Sequence, residues 1–259
     1  MTWIYYIPTW LLAPLAVAAF VVAAVVGLRL ARSTYRNDAI THNDVAAPIL
    51  TLLGTVLAVM LSFLVVTVWQ EFDNSAAGVQ KEATSALNLY RMAPYLPGGV
   101  GPRIRSLVRD SLRTSITKEW PAMRMGGFSP GLSNINDNLL KIVAVAANRG
   151  NTMVSQEALD DVLQMVDARR SRLHDNETGI PAFMWAVMLF VAGITIVFSY
   201  YLYVANARAH ELMVSAIAAI IAIMFVLIAE LDYPFRGDVS VAPTALQHVL
   251  FTLDGRLTF

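Results

Sequence analysis

Four long apolar runs, separated by polar stretches, dominate the chain and predict four membrane-spanning helices. The runs cover residues 10–30, 49–69, 182–204 and 212–231. Each run is about 20 residues long, which is enough for a helix to cross roughly 30 Å of hydrocarbon. Because only a short turn separates the last two runs, these two helices must form an antiparallel hairpin. The pattern therefore predicts an all-α membrane protein.

The stretch between the second and third spans, residues 70–179, shows helical periodicity and predicts a helical domain outside the membrane. Helices are expected at about residues 102–120 and 134–148, and a third is expected from Ser155, whose hydroxyl caps it. Pro121 is expected to stop the first of these helices. With four spans, both termini and the helical domain lie on the same side of the membrane.

The second span organises the chain, because its helix continues beyond the membrane. Residues 70–91 contain no proline and a single glycine, Gly78, so nothing ends the helix before about residue 91. A stripe in steps of four and three residues runs along this helix. The stripe comprises Thr51, Thr55, Ala58, Ser62, Val65, Trp69, Phe72, Ala76, Val79, Ala83, Ala86 and Tyr90. Such spacing is the heptad pattern of helices that pack along their length.

Two interpretations of this stripe are open. In the first, the stripe packs against other helices of the same subunit, which is the usual role of small residues in membrane helices. In the second, copies of the helix surround an axis, and Thr51, Thr55 and Ser62 face that axis. The second interpretation predicts a pore. Its lining residues are Thr51, Thr55, Ala58, Ser62, Val65, Trp69 and Phe72.

Three arginines share one face of the helix predicted at residues 102–120. They are Arg105, Arg109 and Arg113, spaced four residues apart. Either this face is exposed to solvent, which is the common situation for charges on a helix, or it forms a basic wall that binds anions or lipid head groups.

Charged residues also cluster where the fourth span ends and the tail, residues 232–259, begins. The cluster comprises Glu230, Asp232, Arg236 and Asp238. The functional interpretation of this cluster is a cation or proton site at the mouth of a pore, because a carboxylate at membrane depth needs a partner or water. The simpler interpretation is a helix end, in which Pro234 and Gly237 stop the span and Arg236 pairs with a carboxylate.

Composition supports a membrane protein. Of the 259 residues, 56% are apolar, and the mean hydropathy is +0.55. These values are too high for an ordinary soluble domain of this size. The formal net charge is zero, so nothing indicates a nucleic-acid partner.

Composition also makes an enzyme the least favoured class. The chain has no cysteine, which excludes disulfides, zinc–thiolate sites and cysteine nucleophiles. Its histidines are isolated from other metal-ligand residues; they are His42, His174, His210 and His248. The sequence contains no phosphate-binding glycine loop and no nucleophile elbow. We therefore expect no catalytic residues, no bound metal and no cofactor.

Four strings of this sequence resemble the bestrophin-like family of membrane proteins. They are Glu82-Ala-Thr-Ser-Ala-Leu-Asn-Leu-Tyr-Arg91, Glu119-Trp-Pro121, Ile180-Pro-Ala-Phe-Met-Trp185 and Leu231-Asp-Tyr-Pro-Phe-Arg-Gly-Asp-Val-Ser-Val-Ala-Pro243. The strings follow the family's order, and the last is the most specific. The resemblance implies four spans with a cytosolic helical domain inserted between the second and third. It also implies a distant similarity to bestrophins, which are pentameric anion channels with a pore lined by the second span.

The resemblance makes an oligomeric ion channel the first functional expectation. It implies a homo-oligomer in the lipid bilayer, with a pentamer favoured, that conducts an inorganic anion such as chloride through a pore lined by the second span. It further implies a multi-pass protein of a bacterial inner membrane, with its termini and helical domain in the cytosol. The alternative is a membrane-anchored scaffold or sensor whose cytosolic helical domain binds a protein partner. It predicts that polar substitutions of the apolar residues of the 102–120 helix abolish this binding.

Overall fold

The computed structural model describes residues 5, 7–34, 43–150 and 152–255. Its helices are α1 (Thr9–Thr34), α2 (Asn43–Met92), α3 (Gly101–Thr114), α4 (Trp120–Arg124), α5 (Pro130–Gly150), α6 (Met153–Glu177), α7 (Ala182–Ser199), α8 (Ala207–Asp232) and α9 (Thr244–Leu253). No β-strand occurs among the described residues, and the predicted all-α fold is confirmed. His42 and the last four residues of the predicted tail lie outside the described residues.

The helices form two compact units, and α2 contributes to both. The apolar unit comprises Met1–Gln70 and Ile180–Asp232, and the helical domain comprises Glu71–Gly179 and Tyr233–Phe259. The boundary between the two units falls on α2 after Gln70. It coincides with the end of the uncharged part of this helix, Val45 to Gln70. The tail is therefore part of the helical domain, where α9 packs against α3.

Four helices among the described residues are long and apolar enough to cross a membrane: α1, α2, α7 and α8. Their most apolar windows have mean hydropathies of 2.7, 2.7, 2.2 and 3.0. In the apolar unit, α1 packs against α8, and the small residues Ala24 and Ala218 lie in that contact. Large apolar side chains such as Phe183 and Phe190 remain exposed. Such surfaces must be covered by lipid or by protein.

The turn between α7 and α8 differs from the prediction at both ends. Helix α7 ends at Ser199 rather than at residue 204. The side chain of Asn43 binds both the N–H and the carbonyl of Tyr203, at 2.8 and 2.9 Å, and so holds this backbone outside a helix. Helix α8 begins at Ala207, earlier than residue 212, because the Asn206 side chain accepts hydrogen bonds from two backbone N–H groups of the first turn.

Helix ends in the helical domain also differ from the prediction. Pro121 does not stop a helix; it lies in the first turn of α4, where a missing N–H costs little, and a π-helical turn, Ser115–Glu119, joins α3 to α4. Helix α5 begins at Pro130 rather than at about residue 134, because a proline is also well tolerated at the first position of a helix. Helix α6 is capped by Thr152, whose hydroxyl accepts a hydrogen bond from the N–H of Ser155 at 3.2 Å. The predicted cap, Ser155, therefore lies inside the first turn.

The interior of the helical domain is built from α3, α5, α6, α9 and the part of α2 that follows residue 70. Its buried apolar residues include Val79, Ala83, Ala86, Leu89, Ile104, Val108, Leu112, Leu139, Val143, Val162, Met165 and Leu246. The apolar face that the sequence predicts on α3 is thus part of this interior.

Asp161 of α6 is a carboxylate inside the helical domain, with only 4% of its surface exposed. It accepts a hydrogen bond from Asn88, and its Oδ2 has no hydrogen-bond partner among the described residues. Burial raises the pKa of Asp161 from 3.8 to about 6, and the charges of Glu157 and Asp160 act in the same direction. The folded protein therefore binds this proton more tightly than the unfolded chain does. As a result, stability is lost as the pH rises from about 3.8 to about 6.

We expect Asp161→Asn to remove this pH dependence and to stabilise the helical domain at pH 7.5. The gain is on the order of 1–2 kcal/mol, after allowance for screening by nearby solvent. The measurement is the unfolding temperature in mild detergent at pH 4.5 and pH 7.5. The exposed neighbour Asp160 supplies the control, because Asp160→Asn leaves the buried carboxylate in place. A pH dependence that is the same in Asp161→Asn and in the unmodified protein would contradict this account.

Candidate pore-lining helix

One side of α2 is covered in the part of the helix that belongs to the apolar unit. Leu57, Leu61, Leu64 and Val68 are between 3% and 6% exposed. They follow one another in steps of four, three and four residues, which places them on one helix face. These four side chains therefore mark the face of α2 that packs within the subunit.

The predicted stripe lies beside this covered face and is open between Thr51 and Trp69. Its exposed members are Thr51, Thr55, Ala58, Ser62 and Trp69. The open and covered faces are offset by one residue, as Leu61 and Ser62 illustrate, and one residue is about 100° around a helix. Packing against the described residues of the same subunit therefore does not account for this half of the stripe.

The other members of the stripe are covered to different degrees. Val65 is half-buried. Phe72 is also half-buried and packs against the interior of the helical domain, to which Val79 and Ala83 belong. Beyond Trp69, the stripe therefore packs within the subunit, as the first interpretation expects.

The hydroxyl groups of the open stripe hydrogen-bond to their own helix. Thr51 donates to the carbonyl of Ala47 at 2.9 Å, and Thr55 donates to the carbonyl of Thr51 at 2.8 Å. Ser62 donates to the carbonyl of Ala58 at 2.8 Å. A hydroxyl has one hydrogen and two lone pairs, so these groups present acceptor oxygens to their surroundings. Acceptor oxygens suit water or a cation better than an anion.

Asp232, a candidate for an ion site, holds two helix ends together in the apolar unit. Its Oδ1 accepts a hydrogen bond from the N–H of Ile180 at 2.6 Å, and the Trp185 side chain also donates to its carboxylate. Asp232 therefore ties the end of α8 to the start of α7. Glu230, on the last turns of α8, is 5% exposed.

Arg236 and Asp238 belong to the helical domain. The guanidinium of Arg236 donates to the side-chain and backbone oxygens of Asn176 and lies over the Tyr233 ring, 4.6 Å from its centroid. The predicted pairing of Arg236 with a carboxylate is wrong for the part of the chain that the structure describes. The reason is that the carbonyls at the end of α6 attract the cation. Asp238 is exposed.

The predicted basic face of α3 contacts the end of α9. Arg109 donates to a carbonyl of the last turn of α9 at 2.8 Å, and its Nε lies 3.7 Å from the carboxylate of Asp254. Arg113 lies 3.9 Å from the same carboxylate. The guanidinium groups of Arg105 and Arg109 lie over the ring of Tyr90, at 4.7 and 5.2 Å from its centroid. Arg109 and Arg113 therefore hold the end of α9 against α3, where they favourably face a helix C-terminus.

The helical domain contains a buried ionic network that the sequence did not predict. Arg172 of α6 binds both carboxylate oxygens of Glu82 at 3.0 Å and one oxygen of Glu119 at 3.1 Å. Arg169 binds Glu119 at distances from 2.5 to 3.2 Å. All four residues are at most 6% exposed. Two positive and two negative charges balance here, in an interior where an unpaired charge is costly.

Three of the four strings that resemble the family meet at this network. Glu82 comes from the first string, and Trp120 comes from the second. The indole N–H of Trp120 donates to the carbonyl of Val241 at 3.1 Å, and its ring meets Phe235 edge-on at 5.8 Å. Val241 and Phe235 both come from the fourth string. The guanidinium of Arg172 lies 4.5 Å from the centroid of the Trp120 ring, which completes the cluster.

Comparisons with solved structures give the same fold. A bacterial bestrophin homologue from Klebsiella pneumoniae matches with a TM-score of 0.69 at 13% identity, over 93% of this chain and 99% of that chain. A second structure of that homologue, with a point mutation, gives a TM-score of 0.70 at 14% identity, over 94% and 99%. Another solved membrane protein gives 0.69 at 11% identity, over 94% and 98%. No curated protein matches the sequence.

The sequence also identifies the family directly. The bestrophin-like domain matches residues 15–246 of the 259 residues, so the match begins in α1 and ends in α9. Four helices of the described residues can cross a membrane by length and composition, which agrees with an integral membrane protein. Because the match covers nearly the whole chain, and the fold agrees with that of bestrophin homologues, this chain belongs to the bestrophin-like family.

Proposed function

We propose that this protein is an oligomeric ion channel whose pore is lined by the open stripe of α2. The observation that carries the proposal is the exposure of Thr51, Thr55, Ala58, Ser62 and Trp69 beside a fully covered face of the same helix. Small side chains let helix copies approach one another closely, and hydroxyl groups supply the hydrogen-bonding lining that a polar path requires. Family membership and the bestrophin fold support a channel-type architecture.

The pore is built by several copies of α2, because one helix cannot enclose a path. A pentamer is favoured by the resemblance to bestrophins. Trp69 is the largest side chain on the open stripe and forms an apolar constriction at one end of it, a type of gate that closes by excluding water. Val65 flanks the path between Ser62 and Trp69, whereas Phe72, the last residue of the predicted lining, packs against the interior of the helical domain.

The chemistry of the stripe bears on the ion that passes. Chloride is the expectation from the resemblance to bestrophins. The described hydroxyls of the stripe, however, donate to backbone carbonyls, so they can bind an anion only after they rotate. In their present arrangement they are ligands for a cation. Both chloride and potassium must therefore be tested.

The structure of the helical domain argues against one form of the scaffold alternative. In that form the apolar face of α3 binds the partner. Ile104 and Val108 of that face have no exposed surface, and Leu112 is 2% exposed. The face is filled by the domain's own interior, so a partner cannot reach it in the folded protein.

We propose a bacterial inner membrane as the location, with the termini and the helical domain in the cytosol. This orientation follows from the resemblance to bestrophin-like proteins.

The function is tested by reconstituting the purified protein into liposomes and measuring chloride and potassium flux. We expect the protein to be an oligomer in mild detergent and to conduct one ion in preference to the other. An empty-liposome control sets the background. A protein that is monomeric in mild detergent, or a folded oligomer that passes neither ion over a range of voltages, would contradict the proposal.

A further inference from the structure

Asp73 is the first charged residue that follows the open stripe on the same side of α2. Helix α2 is uninterrupted from Asn43 to Met92, so its periodicity holds across this point. Ser62, Val66, Trp69 and Asp73 follow in steps of four, three and four residues, and all four are exposed. They therefore lie within about 60° of one another around the helix.

The carboxylate of Asp73 is not neutralised by a neighbour. The residues that share its helix surface, three and four positions away, are Trp69, Gln70, Ala76 and Ala77. None of them is basic. Among the described residues, Asp73 takes part in no ion pair. Its negative charge is therefore fully available to a passing ion.

We infer that Asp73 sets the charge preference of the pore and makes it favour monovalent cations over chloride. The inference rests on the proposed function, because an oligomer that lines its pore with α2 brings one Asp73 from every subunit to the same level. Such a ring of carboxylates raises the local concentration of cations and repels anions. The acceptor oxygens of Thr55 and Ser62 further along the stripe act in the same direction.

The same helix offers a matched control in Glu71. This residue carries the same charge, is also exposed, and is only two positions from Asp73. Two positions correspond to 200° of rotation, so the two carboxylates point to nearly opposite sides of α2. If the open stripe faces the axis, Glu71 lies away from it.

The experiment measures the potassium-to-chloride permeability ratio from reversal potentials in a potassium chloride gradient across planar bilayers. The proteins compared are the unmodified chain, Asp73→Asn and Glu71→Gln. We expect the unmodified chain to prefer potassium, Asp73→Asn to lower the ratio by roughly tenfold, and Glu71→Gln to leave it unchanged. The effect of Asp73→Asn is also expected to shrink between 0.1 M and 1 M salt, because salt screens the ring; a merely structural role gives no such dependence.

Three outcomes overturn the inference. They are a chloride preference in the unmodified chain, an unchanged ratio in Asp73→Asn, and an equal change in Glu71→Gln. If Ser62→Trp blocks the current but Asp73→Asn leaves the permeability ratio unaltered, the role of Asp73 is refuted and the proposed channel function still stands. If the unmodified oligomer passes no current, both the channel function and the role of Asp73 are refuted.

Discussion

Replacing Arg172 by leucine is expected to destabilise the helical domain by about 3–5 kcal/mol, the usual cost of removing one partner from a buried ion pair. Arg172 is 1% exposed and binds two carboxylates, Glu82 and Glu119. In Arg172→Leu these two buried negative charges are left with Arg169 alone. The measurement is thermal unfolding in mild detergent, where the change corresponds to a drop of about 10–20 °C for a domain of this size.

The control for this prediction is Arg170→Leu, two positions earlier on the same helix. Arg170 and its partner Asp167 keep 73% and 69% of their side-chain surfaces exposed, at a distance of 3.4 Å. An exposed pair of this kind is worth at most about 0.5 kcal/mol. A loss in Arg172→Leu that is no greater than the loss in Arg170→Leu would show that the network contributes little to stability.

Ser62→Trp is expected to reduce ion flux at least about tenfold, because a ring of bulky side chains at this position fills a narrow pore. Ser62 is exposed, and it lies on the open stripe between Thr55 and Trp69. The added ring does not clash with the covered face of α2, which is formed by residues such as Leu61. The variant is therefore expected to fold and to keep its oligomeric state, which size-exclusion chromatography in mild detergent verifies.

Thr67→Trp is the matched control for the block. Thr67 is also exposed and hydroxylic, and it donates to the carbonyl of Phe63 at 2.8 Å, just as Ser62 donates to the carbonyl of Ala58 at 2.8 Å. The two positions are about 140° apart around the helix. We expect Thr67→Trp to conduct normally. Equal flux in the two tryptophan variants would show that the open stripe does not line the pore.

The main features of α2 could be predicted from the sequence, because they depend on local pattern. The uncharged run that ends at Gln70, and the lack of a helix breaker after it, predict one long helix. The stripe was also visible, but its role was not. A spacing of four and three residues cannot distinguish Ser62, which the subunit leaves open, from Ala83, which the interior covers, since that difference depends on which other helices are nearby.

The ionic network could not be located from sequence order, because its members are far apart in the chain. Glu82 and Arg172, for example, are 90 residues apart. A weaker signal was present in α6, where charged residues continue an apolar stripe with helical spacing. The stripe comprises Ala158, Val162, Met165, Arg169, Arg172 and Asn176. An arginine on the covered face of a helix requires a buried acidic partner, and this rule predicts a network without naming Glu82 or Glu119.

The predicted interactions of the surface charges were the least reliable part. Arg105, Arg109 and Arg113 share a helix face, as their spacing predicts, but that face contacts Tyr90 and the end of α9. Arginine side chains are long enough to reach carbonyls and rings of distant segments, and sequence spacing carries no information about those segments. The same limit explains why Arg236 binds Asn176 instead of a carboxylate.

The most direct test of the central claim, that the open stripe of α2 lines a water-filled path, makes use of the absence of cysteine from the chain. Ser62→Cys is reconstituted, and ion flux is measured before and after a charged methanethiosulfonate reagent is added from the aqueous side. We predict that the reagent lowers the flux of Ser62→Cys and leaves Thr67→Cys and the cysteine-free chain unaffected. Unchanged flux in Ser62→Cys protein that mass spectrometry shows to carry the reagent would contradict the claim.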